Sequence, residues 1–331
     1  MPKASIGIIV RNERDSIGHL LDSLLSQDFK SYEINVVDGS STDGTWEILK
    51  RYSAKHRKTR IFSSSSGKSG ADRNVMLSKC SGKYICVIDA GALPQNNWLS
   101  ELVSEFEKQR KKYPKLAGMG GKTTFVRDTW QKRAIYSFLE TPIGSGGSMQ
   151  MNEHILGFTL IDSFPNCNGI YLASVIKKVK YPARHGAEDF GLNHSLIKKG
   201  YLVGITEKAG ILHNYIDSFS DFMKKIEGYG KMQVRALKQS REIRWYVPVV
   251  FFYGLYHIIA LVLALFGIFF LILLSIVSQL VFFFFFGIIY SVKKRNAAFL
   301  LSFLFYPIQY LAYFIGICKE LLRINNKTRN D

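Results

Sequence analysis

Apolar positions along the chain alternate between two periods. Ser5–Arg11 is a short run rich in β-branched residues and reads as a buried strand. Directly after it, Ile17, Leu20, Leu21, Leu24 and Leu25 recur at the spacing of one helical face, which predicts a helix over Asp15–Gln27. The same pairing repeats: strand Glu33–Val37 with helix Thr42–Tyr52, strand Arg60–Phe62 with helix Gly70–Lys79, strand Tyr84–Asp89 with helix Trp98–Lys111. Ser41 or Thr42 is available to cap the second helix. Short strands alternating with helices predict an α/β domain with a mostly parallel, Rossmann-like sheet covered on both faces. Ligands of such sheets bind beyond the carboxyl ends of the strands, which places the expected chemistry near Arg11, Asp38 and Asp89.

The pattern breaks at Pro248. Val249–Tyr290 is 42 residues without a charge, about 63 Å as a helix and about twice the hydrocarbon thickness of a bilayer. Two C-terminal transmembrane helices are expected, turning at Gly267 or within Ser275–Gln279. The cluster Lys293-Lys294-Arg295 should stay on the cytosolic side together with the N-terminal domain. A third apolar stretch, Ala297–Cys318, is interrupted by Pro307 and Gln309. It either spans or lies in the interface, and the basic tail Lys319, Arg323, Lys327 and Arg329 favours the interface. The expected organisation is an α/β domain over 1–217, a basic amphipathic membrane-surface connector over 218–247, and a membrane hairpin with the third segment and tail over 248–331. In the connector, Lys224, Lys225, Lys231, Arg235, Lys238, Arg241 and Arg244 lie among Phe222, Ile226, Met232, Val234 and Leu237. That composition suits a helix on an anionic membrane, a solvated basic face being the alternative.

Charge sharpens the choice of partner. The formal net charge is +18, and residues 248–331 hold only seven Lys or Arg against two Asp or Glu, so most of the excess lies upstream. Without a zinc-finger spacing or nucleic-acid module, no nucleic acid is expected, and a membrane surface or phosphorylated substrate is preferred. Cys80, Cys86, Cys167 and Cys318 form no Cys-x-x-Cys pair and read as small hydrophobes. The first apolar run is too short for a signal peptide, so the N-terminal domain is expected in the cytosol.

The second strand is followed by Val37-Asp38-Gly39-Ser40-Ser41-Thr42-Asp43-Gly44-Thr45. An acid at a strand end accepts hydrogen bonds from a nucleobase or ribose, and glycines let the backbone approach a ligand. A turn followed by a helix cap explains the same residues. With Arg11-Asn12-Glu13 after the first strand, however, the series resembles the start of family 2 glycosyltransferases. Gly70-Ala71-Asp72-Arg73-Asn74 is similar to that family's Gly-x-x-x-Arg-Asn segment, and Tyr84–Gly91 extends the resemblance, which covers about residues 4 to 235. It implies the GT-A fold and a nucleotide-diphosphate sugar donor, with Arg11, Glu13, Asp38, Ser40, Arg73 and Asp89 as donor-binding residues.

Further implications follow from the same resemblance. Asp89 stands at the first acid of the family's Asp-x-Asp motif, which binds a divalent cation, but Gly91 replaces the second acid. His213 falls where family members supply a histidine near the metal. Asp89 and His213 are therefore expected to hold Mg2+ or Mn2+, for which one carboxylate plus substrate phosphates suffices; a hydrogen-bonded histidine at a strand end is the alternative for His213. Ala187-Glu188-Asp189-Phe190 is similar to the family's Glu-Asp motif, which implies Asp189 as catalytic base with Glu188 beside it. A carboxylate there would take the proton of an acceptor hydroxyl as it attacks the anomeric carbon, in one inverting step. A helix N-terminus would hold the acid and lower its pKa, and helix capping alone is the alternative. Gly144-Ser145-Gly146-Gly147-Ser148 resembles a segment of succinoglycan-type exopolysaccharide glycosyltransferases and reads as a phosphate-cradling loop or a linker. Asn166-Cys167-Asn168-Gly169 lies where the family shapes its acceptor side. Arg241-Glu242-Ile243-Arg244-Trp245 resembles the Gln-x-x-Arg-Trp motif of processive synthases with Arg in the first place, which argues against processivity. The expected function is inverting sugar transfer from a nucleotide sugar to a lipid-linked acceptor at the membrane. A polyprenyl phosphate acceptor, or a non-catalytic protein that binds nucleotide sugars or lipids, is the alternative.

Overall fold

The computed structural model describes residues 2–145, 155–183, 186, 188–240, 246–267 and 269–328. In chain order the elements are β1 (Ala4–Val10), α1 (Ile17–Leu25), β2 (Tyr32–Asp38), α2 (Thr45–Lys55), β3 (Thr59–Ser63), α3 (Ser69–Lys79), β4 (Tyr84–Ile88), β5 (Ala92–Pro94), α4 (Trp98–Lys112), β6 (Leu116–Gly120), β7 (Thr123–Phe125), α5 (Trp130–Leu139) and α6 (Pro142–Ser145). They continue with β8 (Phe158–Leu160), β9 (Asn168–Leu172), α7 (Ala173–Val179), α8 (Glu188–Lys198), β10 (Leu202–Thr206), β11 (Ile211–His213), α9 (Phe219–Ser240), α10 (Tyr246–Leu265), α11 (Phe269–Lys294), a 3-10 helix (Ala297–Leu304) and α12 (Phe305–Thr328).

Contacts divide the chain into two compact units: Met1–Val126 with Asn152–Tyr215, and Arg127–Met151 with Ile216–Asp331. Residues 127–151 thus group with the C-terminal region, which a single cut after 217 does not anticipate. In the first unit the main sheet runs β3-β2-β1-β4-β9-β6-β10-β8. β1 to β4 are parallel to one another, with Val10 level with Asp38 and Asp38 level with Ser63. β9 then runs antiparallel between β4 and β6. A second sheet joins β5, β11 and β7. Nearly every side chain of β1, β2 and β4 is buried, as expected of strands covered on both faces. Ile17, Leu20, Leu21 and Leu24 of α1 pack on one side of this sheet, while Met76 and Leu77 of α3 belong to the core cluster on the other.

The early elements agree with their expected ranges to within a few residues. The cap of α2 differs. The helix begins at Thr45 behind Gly44, whose φ is 98°, and has no side-chain cap. Ser41 is not free for that role, because its hydroxyl donates to Asp38. Asp43 instead accepts from the Thr45 and Arg14 amides at 3.0 and 3.1 Å.

In the second unit two helical stretches, Val247–Leu265 and Ile272–Lys294, are long and apolar enough to cross a membrane. They meet at a turn containing Gly267, with φ 86°, whereas Ser275–Gln279 lies inside α11. Their apolar side chains point outward, Leu261 being 61% and Phe270 69% exposed, which in water would be a large unpartnered patch. Gly146, Gly147 and Ser148, and all of Arg241–Trp245, lie outside the described residues.

Candidate active site

The ends of β1, β2 and β4 gather the donor-side candidates. Asp38 closes β2 and is 3% exposed. It accepts from the Ser41 amide at 3.0 Å and from the Ser41 hydroxyl. Ser40 takes a positive φ of 63° and donates to Ser64 O at 3.0 Å. Asn12, also at positive φ, accepts from the Thr42 amide at 2.8 Å and its own amide donates to Ser41 Oγ at 2.9 Å. The Glu13 amide donates to Thr45 Oγ1 at 2.8 Å, while its carboxylate accepts from Ser16 at the start of α1. The loops after β1 and β2 therefore brace each other. Arg11 is exposed at their edge.

α3 supplies a residue that the sequence pattern did not mark. Asp72 is 7% exposed and accepts from Ser66 Oγ at 2.6 Å and from Ser64. A side chain built on Gly39 would meet its Oδ2 at 3.2 Å, so Asp72 backs the β2 turn. Its signal was there: an acid in the first turn of a helix, next to the Arg-Asn pair.

Arg73 joins the two halves of the site. It is 5% exposed. Its Nη2 donates to Asp89 Oδ1 and its Nε to Glu188 Oε1, both at 3.3 Å. Its guanidinium lies 5.7 Å over the ring of Tyr181. Among the described residues, Nη1 has no hydrogen-bond partner. Asn74 holds Tyr181 in place by a reciprocal backbone pair, at 2.8 and 2.9 Å. Tyr181 and Tyr171 both donate to Asn166 Oδ1, at 3.1 and 3.4 Å. Asn168 has a different task. It is 1% exposed, accepts from Trp98 Nε1 at 2.8 Å and donates to Lys122 O and Ala209 O at 3.0 and 2.9 Å. It ties the loops at Lys122 and Ala209 to the start of α4.

Glu188 and Asp189 open α8. The Phe190 amide donates to Asp189 Oδ1 at 2.7 Å. Burial raises the Asp189 carboxyl to about 6, and the neighbouring Glu188 charge adds to the rise; the Phe190 amide and Arg73 pull against it. The lowering expected from the helix terminus is overridden, because desolvation of a carboxylate outweighs one amide and a shared guanidinium.

His213 closes β11, opposite Ala92 of β5, and is 4% exposed. A Cβ at Gly91 would stand 3.5 Å from His213 Nε2 and 3.2 Å from Asn214 O. A side chain at position 91 would therefore start tight against the Asn214 carbonyl oxygen and in ordinary contact with the imidazole. Among the described residues, no group of three or more His, Cys, Asp or Glu side chains is placed to hold a metal ion. The chain offers a carboxylate at Asp89, whose side chain is 38% exposed, and an imidazole beside Gly91. This set fits a divalent cation completed by substrate oxygens, and does not form a cage of its own.

Residues 5–172 match the model of glycosyl transferase family 2. The chain belongs to this family. The glycosyltransferase is 25% identical over 263 residues to a Methanococcus voltae dolichyl N-acetyl-alpha-D-glucosaminyl phosphate 3-beta-D-2,3-diacetamido-2,3-dideoxy-beta-D-glucuronosyltransferase, covering 77% of this chain and 80% of that protein. It is 34% identical over 108 residues to the Escherichia coli UDP-Glc:alpha-D-GlcNAc-diphosphoundecaprenol beta-1,3-glucosyltransferase WfaP, covering 31% of this chain and only 39% of WfaP. Among solved structures it is similar to the mannosyltransferase PcManGT from Pyrobaculum calidifontis in complex with GDP-Man and Mn2+, with a TM-score of 0.53 at 16% identity over 75% of this chain and 68% of that one. That likeness shows the GT-A fold.

Proposed function

We propose that this glycosyltransferase moves a sugar, with inversion, from a nucleotide-diphosphate donor to a hydroxyl of a lipid-linked saccharide at the membrane. The observation that carries this reading is the raised Asp189 carboxyl at the start of α8, linked through Glu188 and Arg73 to Asp89 at the end of β4. A base whose pKa lies near neutrality is suited to taking a proton from a hydroxyl. A phosphate acceptor is already an anion and needs no such group. The relatives' names agree with a hydroxyl acceptor, since both describe β-linked transfer to a lipid-linked N-acetylglucosamine.

In this reading Asp38, backed by Ser41, receives the nucleoside, with Glu13, Ser40 and Arg11 around it. Asp89 and His213 would hold a divalent cation, which when bound would neutralise the charge that builds on the leaving diphosphate. Arg73 keeps Glu188 and Asp89 in place. Asp189 orients the acceptor hydroxyl and takes its proton as the oxygen attacks the anomeric carbon from the face opposite the leaving diphosphate. α10 and α11 cross the bilayer as a hairpin, with the catalytic unit and Lys293–Arg295 on the cytosolic side.

The test is to supply membranes containing the full-length protein with radiolabelled nucleotide sugars and a lipid-linked N-acetylglucosamine. Label should enter the organic-extractable fraction as a β-linkage from an α-linked donor. Transfer only to free polyprenyl phosphate, or retention of the anomeric configuration, would refute the proposal.

A further inference from the structure

The third apolar stretch is split between the 3-10 helix Ala297–Leu304, whose Phe299 stacks 6.0 Å from Tyr290 of α11, and the apolar part of α12, Phe305–Cys318, 14 residues or about 21 Å as a helix, which alone falls short of the roughly 30 Å hydrocarbon core. The charged part of α12 is bonded to α9, which precedes the first span. Arg235 donates from Nε and Nη2 to the two carboxylate oxygens of Glu320 at 2.9 and 2.7 Å. Lys319 Nζ donates to Glu227 Oε1 at 3.0 Å. Glu320 is 6% exposed, so this bidentate pair is shielded from water. The two backbones touch: a Cβ at Gly230 would fall 2.1 Å from Tyr313 O, and one at Gly316 would fall 2.1 Å from Glu227 O.

The apolar part of α12 packs on α10 and α11 near a single end of the hairpin. Phe314 lies 6.0 Å from Phe251 and Tyr310 lies 4.9 Å from Tyr253, ring to ring. Tyr306 stacks 4.5 Å from Phe283. These positions lie within about a dozen residues, roughly 18 Å, of the helix ends that lead to α9 and to Lys293–Arg295. A helix whose charged end is bonded to α9 does not reach the other leaflet.

We propose that α12 is not a third span but forms, with α9, an in-plane platform that docks on the anionic headgroups of the leaflet into which the hairpin inserts. This rests on reading α10 and α11 as spans. The outer side of α12 shows Leu311, Ile315 and Leu322, 50%, 38% and 64% exposed, at spacings that keep them on one stripe. The two helices are net basic even after their internal ion pairs: α9 carries five Lys or Arg against two acids and α12 three against one. Leucines flanked by basic residues match the boundary of acyl chains and acidic headgroups. An acidic protein partner would leave the apolar stripe unmatched, and a second copy would bring like charges together.

The experiment uses full-length protein with Cys318→Ser, since Cys80, Cys86 and Cys167 are buried. Ser220→Cys or Asn326→Cys is added and labelled with an impermeant maleimide in intact cells and in inverted vesicles. Both sites should label in the same preparation. Labelling in opposite preparations would make α12 a span and overturn the proposal, while loss of the protein from carbonate-washed membranes would instead refute the spans themselves. In nanodiscs, a nitroxide on Leu322→Cys should sit deeper with phosphatidylglycerol than with phosphatidylcholine alone, and Lys224→Glu with Lys225→Glu should erase the difference. Equal depth in the two lipids for the unaltered helices would overturn the anionic-surface partner.

Discussion

At the scale of residues, the site is a set of carboxylates arranged around one guanidinium. Asp189 titrates near 6, so its basic form is lost as pH falls through that value. The kcat profile should show an acid limb there, about tenfold per pH unit below it. Stability runs the other way. A carboxyl raised above its unfolded pKa favours folding when protonated, and this contribution is lost as pH rises through about 6. Asp189→Asn should therefore raise Tm at pH 8 and leave it nearly unchanged at pH 4, measured by thermal unfolding. Arg73→Met should do the reverse. It strands Glu188 as a buried unpaired charge, which costs about 3 kcal/mol, and removes a positive charge that lowers Asp189, so the acid limb should move above pH 6. An acid limb unmoved in Arg73→Met would separate Arg73 from Asp189. Asp38 and Asp89 stood out because each follows or closes a strand whose buried run is visible, whereas Asp189 was suggested only by the resemblance to the family's Glu-Asp motif, since α8 buries little more than Leu192 and Leu196 on an apolar face. The Arg73 bridge was not legible, since its partner Glu188 is 115 residues away and no local pattern encodes such a contact.

At the scale of elements, legibility follows length. β1 to β4 and their helices were readable because each presents a full buried run or a helical stripe. β5, β7 and β11 have three residues each, too few to show a period, and the antiparallel insertion of β9 depends on distant pairing. These elements nevertheless place His213 beside Gly91. Restoring the motif's second acid by Gly91→Asp should therefore be costly: its Cβ would sit 3.2 Å from the Asn214 carbonyl oxygen, closer than ordinary contact, and a misfit of this kind costs about 1–3 kcal/mol. Lower Tm and no gain in Mn2+-dependent turnover are expected; a stable variant with higher turnover would show that the space is open. Asn168→Ala removes bonds to two loops and strands the Trp98 N–H, with an expected loss of about 2–4 kcal/mol in urea unfolding at an unchanged m-value.

At the scale of the whole molecule, the charge-free stretch after Pro248 made two long apolar helices plain, whereas the grouping of residues 127–145 with the C-terminal region was invisible. α5 starts from a Thr129 cap and its Phe138 packs 4.8 Å from Tyr306, far along the chain; only the folded contacts reveal that. The proposed transfer step would be driven by a carboxylate base. The most direct measurement is single-turnover transfer to a lipid-linked hydroxyl acceptor by full-length Asp189→Asn, alongside donor binding by the same protein. The chemical step should slow by a factor of about 10² to 10⁴, with donor affinity unchanged, because the lost interaction belongs to the transition state. Near-normal transfer by a folded, donor-binding Asp189→Asn enzyme would contradict a base at this position.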